Sequence, residues 1–155
     1  MIVITTPTGA IGHQVLNHLL KAEVPVRVVV RDPARLAADV RERVEVIQGS
    51  TNDVEVVNKA FAGAHVIFWI VPPDEDTDDL EGHYYTFNQI AASAIKAQHV
   101  QRIVWVSTLG SDMSKTSGHL SAALAADKPL EETGVAARIV CPATFMDNLM
   151  WQSHP

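Results

Sequence analysis

Ile2-Val3-Ile4-Thr5-Thr6-Pro7-Thr8-Gly9-Ala10-Ile11-Gly12 is the stretch whose reading decides the fold. A β-branched run ends in a short polar turn holding two glycines, and a helical pattern begins at once. From Ala10 to Ala22, Ile11, Val15, Leu16, Leu19 and Leu20 fall on one stripe, while His13, Gln14, Asn17 and Lys21 face elsewhere. A turn between the first strand and first helix of a βαβ unit is the usual place for a phosphate cradle. Gly9 would let the backbone approach a pyrophosphate, and Gly12 would let the helix pack close to the strand. The helix N-terminus would offer free N–H groups and a positive dipole end. The alternative is a plain tight turn that binds nothing.

Working outward, short strands alternate with helices. Val26–Val30, Val44–Ile47, His65–Val71, Arg102–Ser107 and Ala136–Cys141 read as further strands. The continuous apolarity of 65–71 predicts burial on both faces. Pro33 opens a short helix to about Ala38. Asn52 or Asp53 caps a helix that stops at Gly63, and an acidic loop feeds a long helix from Leu80 to Gln98. This alternation predicts the α/β class, a doubly wound parallel sheet (Rossmann-like) with helices on both faces. The whole chain, 1–155, reads as one such domain.

Composition agrees. The 155 residues carry 12 Lys and Arg against 18 Asp and Glu, a net charge of −6, with 47 % hydrophobic residues. One core is within reach at this length. The acidic balance argues against a general nucleic-acid surface or an anionic-membrane surface. No apolar run approaches the roughly 18 residues of a membrane span. The N-terminus lacks the pattern of a signal peptide, and a lone cysteine, Cys141, excludes an internal disulfide. A cytoplasmic protein is the expectation. Cys141, on a predicted buried strand, reads as an inert small hydrophobe. Seven histidines show no zinc-like spacing, so no metal is expected.

Arg31 stands 19 residues after Gly12, at the end of the second strand. NAD sites place an acidic residue there for the ribose 2′-hydroxyl. A guanidinium instead suits a 2′-phosphate, which it can bond bidentately, and so points to NADP (NADPH). Asp32 follows immediately and keeps NAD open. Pro72 and Pro73 end the fourth strand and either line the cofactor groove with backbone or simply stop the strand. Ser107 lies at the carboxyl end of the fifth strand, the edge where ligands bind in such sheets, as a candidate catalytic contact to substrate or nicotinamide.

Taken together, these motifs resemble the NmrA-like family of atypical short-chain dehydrogenase/reductase proteins. Thr6-Pro7-Thr8-Gly9-Ala10-Ile11-Gly12 is similar to its glycine loop, Val28-Val29-Val30-Arg31-Asp32-Pro33 to its second strand and Arg, and Gly49-Ser50-Thr51-Asn52-Asp53 to its turn after the third strand. Ala91–Lys96, Ile103–Ser107, Lys128–Glu131 and Arg138–Asn148 are similar to later segments. The resemblance implies cofactor contacts at Thr6, Thr8, Gly9, Ile11, Gly12, Arg31, Ser50, Val71, Pro72, Pro73 and Lys128, with Lys128 and Ser107 also carrying catalysis. It implies an NADP(H)-dependent reductase of a quinone or similar conjugated small-molecule acceptor. The rival it offers is a redox-sensing regulator that binds dinucleotide without catalysis and signals to a protein partner. A homodimer is equally compatible.

The departures matter. Thr6 replaces a glycine of the loop, and Ser50 replaces an Asp. The short-chain dehydrogenase Tyr, four residues before its Lys, is here Leu124 before Lys128. Pro129 predicts that the helix kinks or restarts there. Family members continue into a small substrate lobe, so the chain reads as truncated before it. Phe145-Met146-Asp147-Asn148-Leu149-Met150-Trp151 is correspondingly expected to pack against further chain or a partner.

Overall fold

The computed structural model describes residues 1–72, 74, 76–109, 119–143 and 145, with the side chains of 119 and 120 excepted. The apolar stretch beyond Phe145 lies outside the described residues. Six strands form one parallel sheet: β1 (Ile2–Ile4), β2 (Val26–Val30), β3 (Glu45–Gln48), β4 (Val66–Trp69), β5 (Arg102–Val106) and β6 (Ala136–Val140). Their order is β3-β2-β1-β4-β5-β6, every neighbouring pair is parallel, and β1 sits where the winding reverses. That reversal opens a crevice at the carboxyl ends of β1 and β4.

Helices α1 (Ala10–Lys21), α2 (Ala38–Arg41), α3 (Val54–Phe61), α4 (Leu80–Ala97), α5 (His119–Ala125) and α6 (Lys128–Glu131) connect the strands. Alternate strand residues feed two cores. Ile4, Val26, Val28 and Val30 pack with Leu16 and Leu20 of α1. Val3, Val29, Ile67, Trp69, Ile103 and Trp105 pack with Val57 and Phe61 of α3, Ala91 and Ile95 of α4, and Leu130 of α6. The second core holds both buried indoles. Trp69 Nε1 donates to Asn88 Oδ1 at 2.8 Å, and Asn88 Nδ2 donates to the Ala126 carbonyl at 2.8 Å. This bond pair ties β4, α4 and the α5–α6 junction together. Losing it would leave a buried indole N–H unpaired, at a cost of about 1–3 kcal/mol.

Several expectations are corrected. β4 is shorter than 65–71, and only Ile67 and Trp69 are fully buried, because Phe68 faces the α1 side, where that helix covers it only in part. The helix expected from Pro33 is one 3-10 turn (Pro33–Arg35), separated from α2 by extended Leu36 and Ala37. β6 is exposed along its whole length, since it is the edge strand. Cys141 is therefore exposed rather than buried. The chain restarts as α6 at Lys128, with Pro129 in its first turn, where a missing N–H costs nothing.

Candidate functional site

A cavity of about 760 Å³ opens at the carboxyl edge, walled by Thr5–Gly9 after β1, Val29–Asp32 and Arg35 after β2, Gly49–Asn52 after β3, and Pro72, Asp74, His83 and Phe87 beyond β4. Its floor begins at Thr5, which is 4 % exposed. The Thr5 hydroxyl donates to the Phe68 carbonyl and accepts from the Ile70 amide, both at 3.3 Å. The turn is thereby fastened to the exit of β4.

The turn closes with Gly9 N–H donating to the Thr6 carbonyl at 3.1 Å. Gly9 is the N-cap of α1 in extended conformation (φ −82°, ψ 162°), and no side chain caps the helix. The first amides of α1 are thus left for something else. A Cβ on Gly9 would make only ordinary contact, 3.5 Å from the Thr6 carbonyl oxygen, so the fold itself does not demand glycine here. Gly12 is the opposite case. A Cβ there would lie 1.9 Å from that same oxygen. The turn works with Thr6 in place of glycine for a plain reason: among the described residues, only Glu23 and His99 combine a side chain with positive φ.

At the end of β2, Arg31 and Arg35 both reach the cavity wall. Asp32 does too, but its Oδ1 accepts from the Ala34 amide at 3.0 Å and so caps the 3-10 turn. Among the described residues neither arginine makes an ion pair. After β3, Gly49 takes φ +152°, and a Cβ would meet Val56 at 2.5 Å, which sets Ser50 and Thr51 against the cleft. Beyond β4, the His83 ring bonds the Pro72 carbonyl through Nε2 at 2.9 Å, with Asp74 3.9 Å from Nδ1. Because a carbonyl only accepts, Nε2 is the protonated nitrogen.

The cavity thus brings together Thr6, Thr8, Gly9, Arg31, Ser50 and Pro72 of the expected cofactor set. Ile11, Gly12 and Val71 are not among its wall residues, and Pro73 lies outside the described residues. Lys128 is not part of the wall. Its side chain is 73 % exposed and its ammonium lies 3.8 Å from Glu132. Ser107 is also off the wall, its hydroxyl donating to Asp127 Oδ2 at 2.5 Å. Arg35, His83 and Phe87 were not among the expected site residues, while Gly49 was read only as part of the turn after the third strand. Of these only Arg35 carried a signal, four residues after Arg31 across a one-turn helix.

These features fit a dinucleotide. The uncapped helix start and bare Gly9 suit a pyrophosphate, and the two free guanidinium groups suit a further phosphate on the ribose.

Comparison with known proteins agrees. A sequence profile described as NAD(P)H-binding matches residues 7–151. The chain is 30 % identical over 153 residues to the (4-alkanoyl-5-oxo-2,5-dihydrofuran-3-yl)methyl phosphate reductase of Streptomyces griseus, covering 97 % of this chain and 50 % of that protein. Its fold matches triphenylmethane reductase of Citrobacter sp. complexed with NADP(H), at TM-score 0.81 and 24 % identity, covering 96 % of this chain and 51 % of that one. It also matches an NADPH-dependent quinone oxidoreductase of Escherichia coli complexed with NADPH, at TM-score 0.80 and 24 % identity, covering 98 % and 52 %. The chain spans about half the length of these proteins. No helix among the described residues is long and apolar enough to cross a membrane. The Rossmann-like sheet, the cleft at its reversal point and the profile over nearly the whole chain place this protein in the NAD(P)H-binding family.

Proposed function

We propose that residues 1–155 form the dinucleotide-binding domain of an NADPH-dependent reductase of a quinone or similar conjugated small-molecule acceptor. The observation that carries the cofactor half is the open N-terminus of α1, with Gly9 unencumbered at the mouth of the cleft. Thr6, Thr8 and Gly9 meet the pyrophosphate through backbone and hydroxyl groups. Ser50 and Pro72 flank the adenine and central portions. Arg31 and Arg35 hold the 2′-phosphate, which selects NADPH over NADH because Asp32 is engaged as a cap. The acceptor half is supported by the kind of protein this chain is similar to: named reductases of a dihydrofuran phosphate, a triphenylmethane and a quinone. When bound, the nicotinamide supplies the hydride. The protein's part is to orient it and to keep the groove closed on one side.

Fluorescence titration with NADPH and NADH tests the cofactor half. NADPH should bind more tightly, and Arg31→Ala with Arg35→Ala should erase the difference, since charge-assisted bonds are each worth about 1.5–3 kcal/mol. Equal affinity for both in the unaltered protein would remove the NADP assignment. A panel of quinones and enones tests the acceptor half by NADPH oxidation.

A second reading has one feature in its favour. Leu124 stands where a short-chain dehydrogenase would carry its Tyr. The protein would then sense dinucleotide and signal to a partner. Partner capture that depends on NADP+ against NADPH, without turnover, is its signature.

A further inference from the structure

Asp127 is a carboxyl buried to 8 % exposure in the wall between β5 and the α5–α6 junction. It has no neutralising cation among the described residues. The adjacent Lys128 turns outward to Glu132, and the nearest charged neighbour felt by the carboxyl is Glu131, which repels it. Two neutral donors face it from β5. Ser107 donates to Oδ2 at 2.5 Å. The Trp105 indole lies near enough to favour the charged form, yet its buried N–H makes no hydrogen bond of good geometry. From α4, Asn88 occupies the neighbouring Ala126 carbonyl rather than the carboxyl.

Ser107 follows β5 directly, at the carboxyl edge of the sheet. Arg31, Arg35 and Ser50 occupy the β2–β3 end of the crevice. A dinucleotide with its adenosine half there extends its other half toward β4 and β5, which is the Ser107 end.

Building on the reductase reading, we propose that Ser107 delivers the proton that completes reduction of the acceptor and that Asp127, acting through Ser107, replaces it. The hydride comes from the reduced nicotinamide dinucleotide and forms the new C–H or O–H bond of the acceptor. The oxygen that becomes negative takes the Ser107 hydroxyl proton. With Asp127 protonated, the Ser107–Asp127 hydrogen bond turns round, and as the Ser107 O–H bond breaks Ser107 takes the proton of the Asp127 carboxylic acid. The resulting carboxylate gains the Trp105 N–H as a donor and is reprotonated from water. Burial raises the affinity of Asp127 for its proton, the direction an acid of this kind needs. The pair supplies what the missing phenol at position 124 does not.

Two measurements on the full chain test this. Carbon-13 NMR of the aspartate carboxyls, without cofactor, should show Asp127 titrating at higher pH than the exposed aspartates, and Ser107→Ala should move it higher still. Titration together with the exposed aspartates overturns the proposal. NADPH oxidation with menadione should fall as pH rises through the Asp127 midpoint. Asp127→Asn should lose that pH limb and about 100-fold in kcat while NADPH affinity and KM hold. An active protein whose Asp127→Asn variant keeps the wild-type rate and profile overturns the relay and leaves the reductase reading standing. A protein that binds NADPH but oxidises none with any acceptor overturns both. If Asp127→Asn does not fold, the wild-type titration and Ser107→Ala decide.

Discussion

The N-termini of α1 and α3 are built from the same backbone and treated in opposite ways. At α3, Asp53 folds its carboxylate over the helix start and accepts from the Glu55 and Val56 amides at 2.8 and 3.2 Å. At α4, Asp79 does the same for Gly82 at 2.8 Å. At α1 the cap is Gly9, and no side chain answers the amides. Unanswered helix amides are a standing cost unless water or a ligand meets them. The four-residue α2 and α6 also start without a side-chain cap, but of the helices of eight or more residues among the described residues only α1 does. At the crevice, the donors of α1 stay open, as the proposed cofactor site requires.

The sharpest way to break this contrast is to make α1 resemble α3. Gly9→Asp puts a carboxylate over the first amides. Thermal melts should show a helix as stable or stabler by a few tenths of a kcal/mol, since glycine is itself a tolerated cap. NADPH affinity should drop by at least about 100-fold, or roughly 3 kcal/mol, because the new charge fills the cradle and repels phosphate. An unchanged affinity by titration would disconnect the loop from the cofactor. Next in size is Gly12→Ala, whose Cβ must displace the Thr6 carbonyl. Urea unfolding should show a loss of about 2–3 kcal/mol, with binding impaired only through the distorted turn. The reciprocal change, Asp53→Ala, should cost about 1 kcal/mol in unfolding and leave NADPH affinity untouched.

The smallest effect concerns Asp127, the one N-cap aspartate among the described residues whose side chain caps nothing. Asp127 is raised above its ordinary 3.8 in the fold, first by burial. Its contribution to stability is therefore complete below about pH 3.8 and declines as pH rises through the folded-state value. The stability difference between Asp127→Asn and wild type, from melts at successive pH values, should shift in favour of the variant over that window and then level off. A flat difference would mean an ordinary, solvated carboxyl.

The parallel, doubly wound sheet was within reach of the sequence because β-branched runs and helical stripes are strong periodic signals. β2 falls at the expected residues, 26–30, and Asp53 caps where capping chemistry requires. α5 carried no comparable signal, since its Ala-rich run lacks a polar-apolar alternation. The orientation of neighbours was harder. Asp127 and Lys128 are adjacent, and one residue of helical rotation is about 100°, so one faces the sheet when the other faces water. Resemblance favoured Lys128. The fold turns Asp127 inward, because α6 restarts at Lys128 with Asp127 as its N-cap and Leu130 in the core. His83 was equally hidden. Its partner is a backbone carbonyl eleven residues earlier, which no pattern of side chains announces.

Every wall residue of the cleft lies between Thr5 and Phe87, while Ser107 and Asp127 come later. On the reading proposed above, the grip on the cofactor and the proton relay are therefore written in successive stretches of the chain, joined through the Trp69–Asn88–Ala126 bonds. A change at Ser107 or Asp127 then tells on the fate of the electrons before it tells on the hold over their carrier.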